Sequence, residues 1–301
     1  MPHTSAFKCN YKSETAHASG GGATADSPQE LVEADLTAID KMVAFDPGIP
    51  KPQREQIFHL ASGLTPSDEI TTGVVSKGGS LQAYFQTSIL YDWAVSPTIG
   101  AMGTSKAFRC YSPFRAAEYD IYGCLCKKWE LDCQPRKAIM QNVEFTVAQS
   151  KTASITPIAG GGIKAFSTAA IKTWKDIATC TVDSKTIANL NISSLKYTVE
   201  NTFDEENTHQ FASDYVIFQP IAEQDVSFEI GFRTNDSQTW DADELNIVAQ
   251  TVAAVFNLSV FTLTLANMDV WETDQEALKQ RGVVKRTATF KRGIGATYTK
   301  S

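Results

Sequence analysis

Residues 122–150 read YGCLCKKWELDCQPRKAIMQNVEFTVAQS, and this stretch decides the fold. Apolar and polar residues alternate on both sides of the tetrapeptide QPRK, which has the composition of a turn. On the second side, Val143, Phe145 and Val147 fall on one face, whereas Glu144 and Thr146 fall on the other. This alternation is typical of a strand with one buried face and one solvent face. The stretch therefore predicts a long antiparallel β-hairpin.

The second strand of this hairpin has a counterpart later in the chain. NVEFTV at 142–147 matches DVSFEI at 225–230 in apolar and polar character, position by position. We interpret the match as a sign of a duplicated β-domain, although two amphipathic strands can also match over six positions by chance.

A candidate boundary lies between the two matching strands. Residues 149–163 read QSKTASITPIAGGGI, a small, polar and glycine-rich stretch that suits a linker. The sequence therefore predicts a mainly β protein with two tandem β-sandwich or β-barrel domains, each with a short flanking helix. The predicted parts are a flexible N-terminal arm at 1–27, a first β-domain at 28–150, a linker at 151–163 and a second β-domain at 164–301.

Several stretches predict helices by their capping residues or their periodicity. Ser27 and Thr65 are N-cap candidates, and each is followed by a proline. Apolar residues at 89–95 predict a short helix. Residues 245–268 contain no charge, but their spacing changes from helical to strictly alternating. We interpret the segment as a buried helix, predicted at 243–256, followed by a buried strand. We do not interpret it as a membrane span.

Charge and composition argue against some functions. Lys and Arg number 27 against 34 Asp and Glu, which gives a formal net charge of −7. Tight binding to nucleic acid relies on basic side chains that neutralise phosphates, so this composition argues against a protein that grips DNA. The N-terminal residues lack the apolar core of a secretory signal. We therefore expect synthesis in a cytoplasm and no membrane partner.

The sequence contains few signs of catalytic or metal-binding chemistry. It has no Gly-x-Ser-x-Gly, His-Glu-x-x-His or phosphate-binding-loop motif. Cys124 and Cys126, two of six cysteines, are expected to share a strand face, but their spacing is not that of a zinc site. We predict buried free thiols. The acidic run Asp204, Glu205 and Glu206 is more typical of a solvated loop than of a catalytic site. We expect no enzyme activity, no cofactor and no metal.

Two stretches resemble the tail tube proteins of long-tailed, siphovirus-like bacteriophages, of the type in which one chain carries two tube domains. They are residues 122–150, quoted above, and LNISSLKYTVENTF at 190–203 with FQPIAEQDVSFEIGF at 218–232. Each looks like the family's pair of long strands, and the helices predicted at 89–95 and 243–256 lie in matching places. The resemblance implies a structural virion protein, assembled in the host cytoplasm, whose stacked rings form the tail channel for genome delivery.

The resemblance also implies the partners. Two domains per chain would let three chains form a pseudo-hexameric ring, with other tail proteins as neighbours and genomic DNA passing through the lumen without specific binding. The main alternative is a β-sandwich carbohydrate-binding or adhesion module, and a third is an enzyme whose site is assembled from dispersed residues. Self-assembly at high concentration distinguishes the first hypothesis from the other two.

Charged segments are the candidates for contacts between subunits. We expect acidic side chains to line the channel, because they repel DNA. The arm at 1–27 and the loop at 202–215 are expected to order against neighbouring subunits. Basic residues near the C-terminus are expected to pair with loop acids away from the lumen. The predicted contact residues are Asp204, Glu205, Glu206, Lys285, Arg286, Lys291 and Arg292.

Overall fold

The protein is mainly β, as the sequence predicts. The computed structural model describes residues 8–19, 30–31, 33–49, 51–57, 68–75, 78–97, 103–112, 117–152, 166–182, 185–186, 191–203, 221–233, 252–257, 262–275 and 285–300. In chain order its elements are β1 (Lys8–Ser13), β2 (Thr37–Ala38), β3 (Met42–Asp46), β4 (Lys51–Ile57), β5 (Asp68–Val75), β6 (Gly79–Tyr84), α1 (Ile89–Val95), β7 (Lys106–Ser112), β8 (Ala117–Cys124), β9 (Cys126–Cys133), β10 (Met140–Phe145), β11 (Gln149–Thr152), β12 (Thr179–Val182), β13 (Lys185–Thr186), β14 (Asn191–Phe203), β15 (Ile221–Arg233), β16 (Val252–Asn257), β17 (Thr262–Gln275) and β18 (Lys285–Lys300).

Antiparallel pairing arranges these strands in a large sheet, a small sheet and a separate pair. The large sheet has 11 strands in the order β13-β12-β16-β17-β18-β15-β14-β9-β10-β6-β3. The small sheet has 5 strands in the order β11-β8-β7-β1-β2, and β4 pairs with β5. The large sheet therefore contains strands from both the beginning and the end of the chain.

The predicted hairpin is confirmed, and it bends from the small sheet into the large one at Leu125. On one side of the bend β8 pairs with β11, and on the other side β9 pairs with β10. Gly123 has a φ of 66°, and a Cβ there would lie 2.5 Å from the Ala148 Cβ, so the bend requires glycine. Thr146, which the alternation places on the solvent face, is instead buried at this bend. Its amide donates to the Leu125 carbonyl at 2.9 Å, and its hydroxyl accepts from the Leu125 amide at 3.0 Å. A strand pair that changes sheet in this way makes a corner between two packed sheets.

Aromatic side chains fill the space between the two sheets and α1. Phe108 of β7 packs on Phe145 of β10 with ring centroids 5.7 Å apart. Trp93 of α1 lies 5.6 Å from the first ring and 5.8 Å from the second. Tyr91, on the same helix, lies 5.3 Å from the ring of Trp129 on β9. The helix predicted at 89–95 is therefore confirmed, and its buried side chains join the sheets.

The large sheet continues across the two halves of the chain. β9 pairs with β14, and this register places Trp129 opposite Val199. The Trp129 ring also lies 5.5 Å from the ring of Tyr197. Of the predicted linker, residues 151–152 belong to β11, and residues 153–163 lie outside the described residues. The division into two tandem domains stays a prediction, and the sheet has no break between the halves at β9 and β14.

The first strand differs from the flexible arm predicted at 1–27. β1 pairs with β7 along its whole length, and Cys9 and Tyr11 are buried. The prediction was wrong for this strand, because the small and polar composition of its neighbours hid a short alternation of apolar and polar residues. Asn10, between the two apolar residues, is also buried, so this part of β1 is covered on both faces, and β7 supplies the backbone partners.

Three of the predicted helices are replaced by strands in the described residues. After Ser27, a 3-10 turn at 33–35 leads into β2 and β3, and the stretch after Thr65 forms β5. Residues 252–257 form β16 and not the end of a helix, while residues 243–251 lie outside the described part. β16 pairs with both β12 and β17, and its sequence VAAVFN contains two valines and one phenylalanine, which favour strands. A short apolar run is compatible with the periodicity of a helix and with that of a strand, so pairing with the neighbouring strands determines its secondary structure.

Candidate assembly surface

The solvent face of the large sheet carries charged side chains in cross-strand rows. β10, β9, β14 and β15 lie side by side, and buried residues alternate with polar ones along each strand. In one row Glu144, Lys128, Glu200 and Asp225 lie opposite one another. The three carboxylates of this row are exposed. A shift of one residue in any of these strands would bury the charges, which fixes the register.

An ion pair between β9 and β14 orders the middle of this face. Lys196 Nζ lies 2.9 Å from Glu130 Oε2, and the two side chains are 40% and 21% exposed. The hydrogen bond to Glu130 raises the pKa of Lys196 above its ordinary value. An ion pair this exposed contributes only about 0.2–1 kcal/mol to stability. Its effect is on the pattern of surface charge more than on the fold.

Carboxylates outnumber ammonium groups on the face from β10 to β18. The ammonium groups are those of Lys128, Lys196 and Lys291, with Lys127 beside them at a β-bulge. This described part of the face is therefore acidic. Its carboxylates belong to Glu130, Asp132, Glu144, Glu200, Glu223, Asp225 and Glu229.

Among the seven predicted contact residues, the structure describes the side chain of Lys291. It is exposed, and it lies opposite Ser227 of β15 and Asp269 of β17. The three other predicted basic residues belong to β18, for which only the backbone is described at their positions. The three predicted acids lie outside the described residues. Lys291 thus shares a face with the acidic rows, and pairing between basic strand and acidic loop stays a prediction.

A buried ion pair in the small sheet was missed by the sequence analysis. Arg109 of β7 donates two hydrogen bonds of 2.8 Å to the carboxylate of Asp120 on β8. The Tyr122 hydroxyl donates to the same carboxylate at 3.1 Å, and the Leu31 amide at 3.3 Å. The Arg109 and Asp120 side chains are 4% and 1% exposed. The bidentate pair therefore anchors the segment at Leu31 to the small sheet.

A second buried carboxylate, Asp40, positions the start of α1. Thr87 donates to it from its hydroxyl at 2.8 Å and from its amide at 3.2 Å, and Gln141 Nε2 donates at 2.6 Å. Gln141 in turn accepts a hydrogen bond from Trp129 Nε1 at 3.1 Å. Burial raises the pKa of Asp40, and the hydrogen bonds act in the opposite direction. The network joins the helix to β9 and β10, which is a positioning role.

Lys106 at the start of β7 is a buried amine. Its Nζ lies 4.0 Å from the ring centroid of Tyr11 and 6.0 Å from that of Trp93. Burial lowers the pKa of Lys106 to about 8, and the Asp92 carboxylate acts in the opposite direction. The ring faces attract an ammonium group but replace only part of the hydration that it loses.

Lys106→Met is expected to flatten the pH dependence of stability above neutral pH. The folded pKa is about 8 and the ordinary value is 10.5, so the unfolded chain binds more protons between them. The contribution of Lys106 to the free energy of unfolding therefore rises with pH across that window. Urea unfolding between about pH 8 and 9.5 measures the slope. Lys196→Met, at an exposed lysine, is the matched control and should keep the wild-type slope. An unchanged slope in Lys106→Met contradicts the assignment.

The six cysteines are buried free thiols, as predicted. Cys124 ends β8 and Cys126 begins β9, on either side of the bend at Leu125. Their side chains pack in the same core cluster, whereas Leu125 packs in a second one, so the expected shared face is kept across the bend. Cys9 and Cys110 lie opposite each other on β1 and β7 with their Sγ atoms 3.5 Å apart. Burial and the neighbouring Cys9 raise the pKa of Cys110 well above its ordinary value.

The described residues also bear on two other possibilities, a metal-binding group and a helix that could cross a membrane. They contain no group of three or more His, Cys, Asp or Glu side chains that could hold a metal ion. In the same ranges no helix has the length and apolar character needed to cross a membrane. No protein-family model matches the chain, and a search of curated proteins finds no match either. The acidic face of the large sheet is the surface feature that bears most on function.

Proposed function

We propose that the protein is a structural, non-catalytic subunit of a bacteriophage tail tube, and that its chains form stacked rings around a channel for DNA. The observation that carries this proposal is the broad antiparallel sheet with one buried face and one acidic solvent face. A tube wall needs an extended, rigid surface without deep pockets, and wide antiparallel sheets provide such a surface. The resemblance in the two hairpin stretches supports the same function.

The acidic face suits a channel for a polyanion. The row of Glu144, Lys128, Glu200 and Asp225 presents carboxylates across four strands. A basic lining would release counterions from DNA and bind it strongly, with a steep dependence on salt. A wall of carboxylates repels DNA at short range and lets it slide. We therefore place this face on the lumen side of the proposed ring. Lys291 is exposed on the same face, so this placement replaces the expectation that this lysine lies away from the lumen.

Ring closure also answers the problem of the open sheet edge. β3 is an edge strand of the large sheet, and in the described part of the chain it pairs with β6 alone. Val43 on β3 is 48% exposed. Edge strands with exposed apolar residues tend to associate, and a closed ring covers them in a controlled way.

The number of chains per ring is a separate proposal. We propose three chains in a pseudo-hexameric ring, with six whole chains as the alternative. Two hairpins related by rotation about a ring axis would follow each other head to tail across the sheet, in an order such as β9-β10-β14-β15. The hairpins instead follow the order β10-β9-β14-β15, which an approximate two-fold axis between β9 and β14 relates. The trimeric ring therefore does not draw support from this pair of hairpins.

Imaging of the purified protein tests the proposed function. Negative-stain micrographs over a range of protein concentrations should contain rings or tubes with a central channel. Reversing the charge at Lys285 and Arg286 should weaken stacking of rings more at low salt than at high salt, if these residues pair with acids of a neighbouring subunit. A persistent monomer at every concentration contradicts the proposal. A monomer that also binds a glycan array favours the carbohydrate-binding module.

A further inference from the structure

The first strand carries a thiol that faces a second thiol across the small sheet. Cys9 of β1 and Cys110 of β7 are partners in the antiparallel ladder, and their Sγ atoms lie 3.5 Å apart. Both residues are at most 1% exposed. Directly opposite residues have Cβ atoms about 4.5–5.5 Å apart, and a disulfide brings them to about 3.5–4.5 Å. A small approach of the two strands is therefore enough for a bond.

We propose that Cys9 and Cys110 form a redox latch that ties the first strand covalently to β7. The oxidant is a small disulfide such as oxidised glutathione. One cysteine thiolate attacks a glutathione sulfur and displaces the first glutathione thiolate. The second cysteine then attacks the mixed disulfide and displaces the other. Two electrons and two protons leave the protein in two molecules of reduced glutathione, and one sulfur–sulfur bond joins β1 to β7.

The strand order indicates which cysteine reacts first. β7 is paired along both edges, with β1 and β8, whereas the other neighbour of β1 is the two-residue strand β2. β1 therefore opens more readily than β7, and Cys9 becomes accessible before Cys110. Because both thiols are buried, oxidation should be slow and limited by this opening. It should accelerate when low concentrations of urea loosen the strand.

Cys124 is the competing thiol, and its register makes it a poor partner. It lies opposite Lys106 on the β7–β8 ladder, whereas Cys110 lies opposite Tyr119. Four residues of β7 separate these two positions, which corresponds to about 13 Å along a strand. Cys124 is near enough to raise the pKa of Cys110. A bond between these two would nevertheless require a shift along the strands, whereas Cys9 and Cys110 already lie in register.

The latch closes a long loop, so it should also raise thermal stability. The two cysteines are 101 residues apart in the chain. Cross-linking a loop of this length restricts the unfolded chain, and we expect a rise in Tm of about 5 °C or more. A reducing agent should reverse the rise.

Oxidation of the full chain followed by peptide mapping tests the latch. The protein is incubated with oxidised glutathione, with and without low urea, then alkylated after denaturation and analysed by mass spectrometry. The expected product has lost the mass of two hydrogen atoms and yields a peptide that links Cys9 to Cys110. Cys124→Ser should give the same product, whereas Cys9→Ser should give none.

Three results would overturn the proposal. The first is a wild-type protein that keeps all of its thiols even when urea opens the first strand. The second is a linked peptide that contains a different pair of cysteines. The third is an internal disulfide in Cys9→Ser formed at the wild-type rate. Cys9→Ser is the central variant because Cys9 lies on the strand that opens first, and Cys9→Ala serves if the serine variant does not fold.

Discussion

Asp120→Ala is expected to lower the free energy of unfolding by about 3–5 kcal/mol, the usual cost of removing one partner of a buried ion pair. The substitution leaves the Arg109 guanidinium, whose side chain is only 4% exposed, with the longer ion pair to Glu30 at 3.4 Å. It also removes the acceptor for the Tyr122 hydroxyl and the Leu31 amide. Urea unfolding followed by circular dichroism measures the change, since the denaturant midpoint falls while the slope stays constant.

Two variants separate this effect from general damage to the sheet. Glu130→Ala removes the acidic partner of the exposed pair with Lys196, and it should cost less than about 1 kcal/mol. The double variant Arg109→Met with Asp120→Leu replaces the buried pair by apolar side chains, and it should recover the part of the loss that comes from the buried guanidinium. The part that comes from the Tyr122 hydroxyl and the Leu31 amide should remain, because their acceptor is still absent. If Asp120→Ala is no more destabilising than Glu130→Ala, the pair does not hold the small sheet.

Trp129→Ala is expected to cost about 3–5 kcal/mol, because it removes a large buried side chain. Its ring contacts Tyr91 of the helix at 5.3 Å and Tyr197 of β14 at 5.5 Å. Its Nε1 also donates to Gln141 at 3.1 Å, and this acceptor would lose its partner. The substitution therefore weakens the place where the two halves of the chain meet.

Hydrogen exchange distinguishes a joined sheet from two independent domains. In Trp129→Ala, amides of both β10 and β15 should exchange faster, because one sheet links them through β9 and β14. Trp174→Ala is the control, since Trp174 is only partly buried, and it should leave β15 unchanged. Faster exchange in β10 with no change in β15 would mean that the halves unfold separately.

The elements that the sequence predicted well are those with local signals. The hairpin around QPRK, β14, β15 and α1 each combine clear alternation or helical spacing with a nearby turn or proline. These patterns specify which face of an element is buried, so they also predicted the buried positions of Val143, Phe145 and Val147. The same pattern was wrong for Thr146, which is buried at the bend.

The elements that the sequence did not predict depend on distant partners. β1 is a strand because β7, about a hundred residues later, offers it a register. β16 is a strand because it lies between β12 and β17, although its spacing also suits a helix. The bend at Leu125 was hidden because both strands of the hairpin read as continuous. Local propensity is a weak guide where tertiary pairing decides.

The buried polar clusters were missed for a related reason. Arg109 and Asp120 interrupt two apolar strands with opposite charges, a signal that is visible in the sequence. Only the register of β7 and β8 shows that they are opposite one another. The acidic rows of the large sheet likewise combine residues from four strands, and the adjacency of β9 and β14 could not be inferred from spacing. The sequence predicted the sign of the charge but not the face that carries it.

Reconstruction of the assembled protein by electron cryomicroscopy tests the central claim most directly. The account predicts closed, stacked rings in which the polar face of β10, β9, β14 and β15 lines the channel. The carboxylates of Glu144, Glu200 and Asp225 should then point into the lumen. A reconstruction in which this face lies outside the tube or is buried between subunits, or a channel lined by basic side chains, would contradict it.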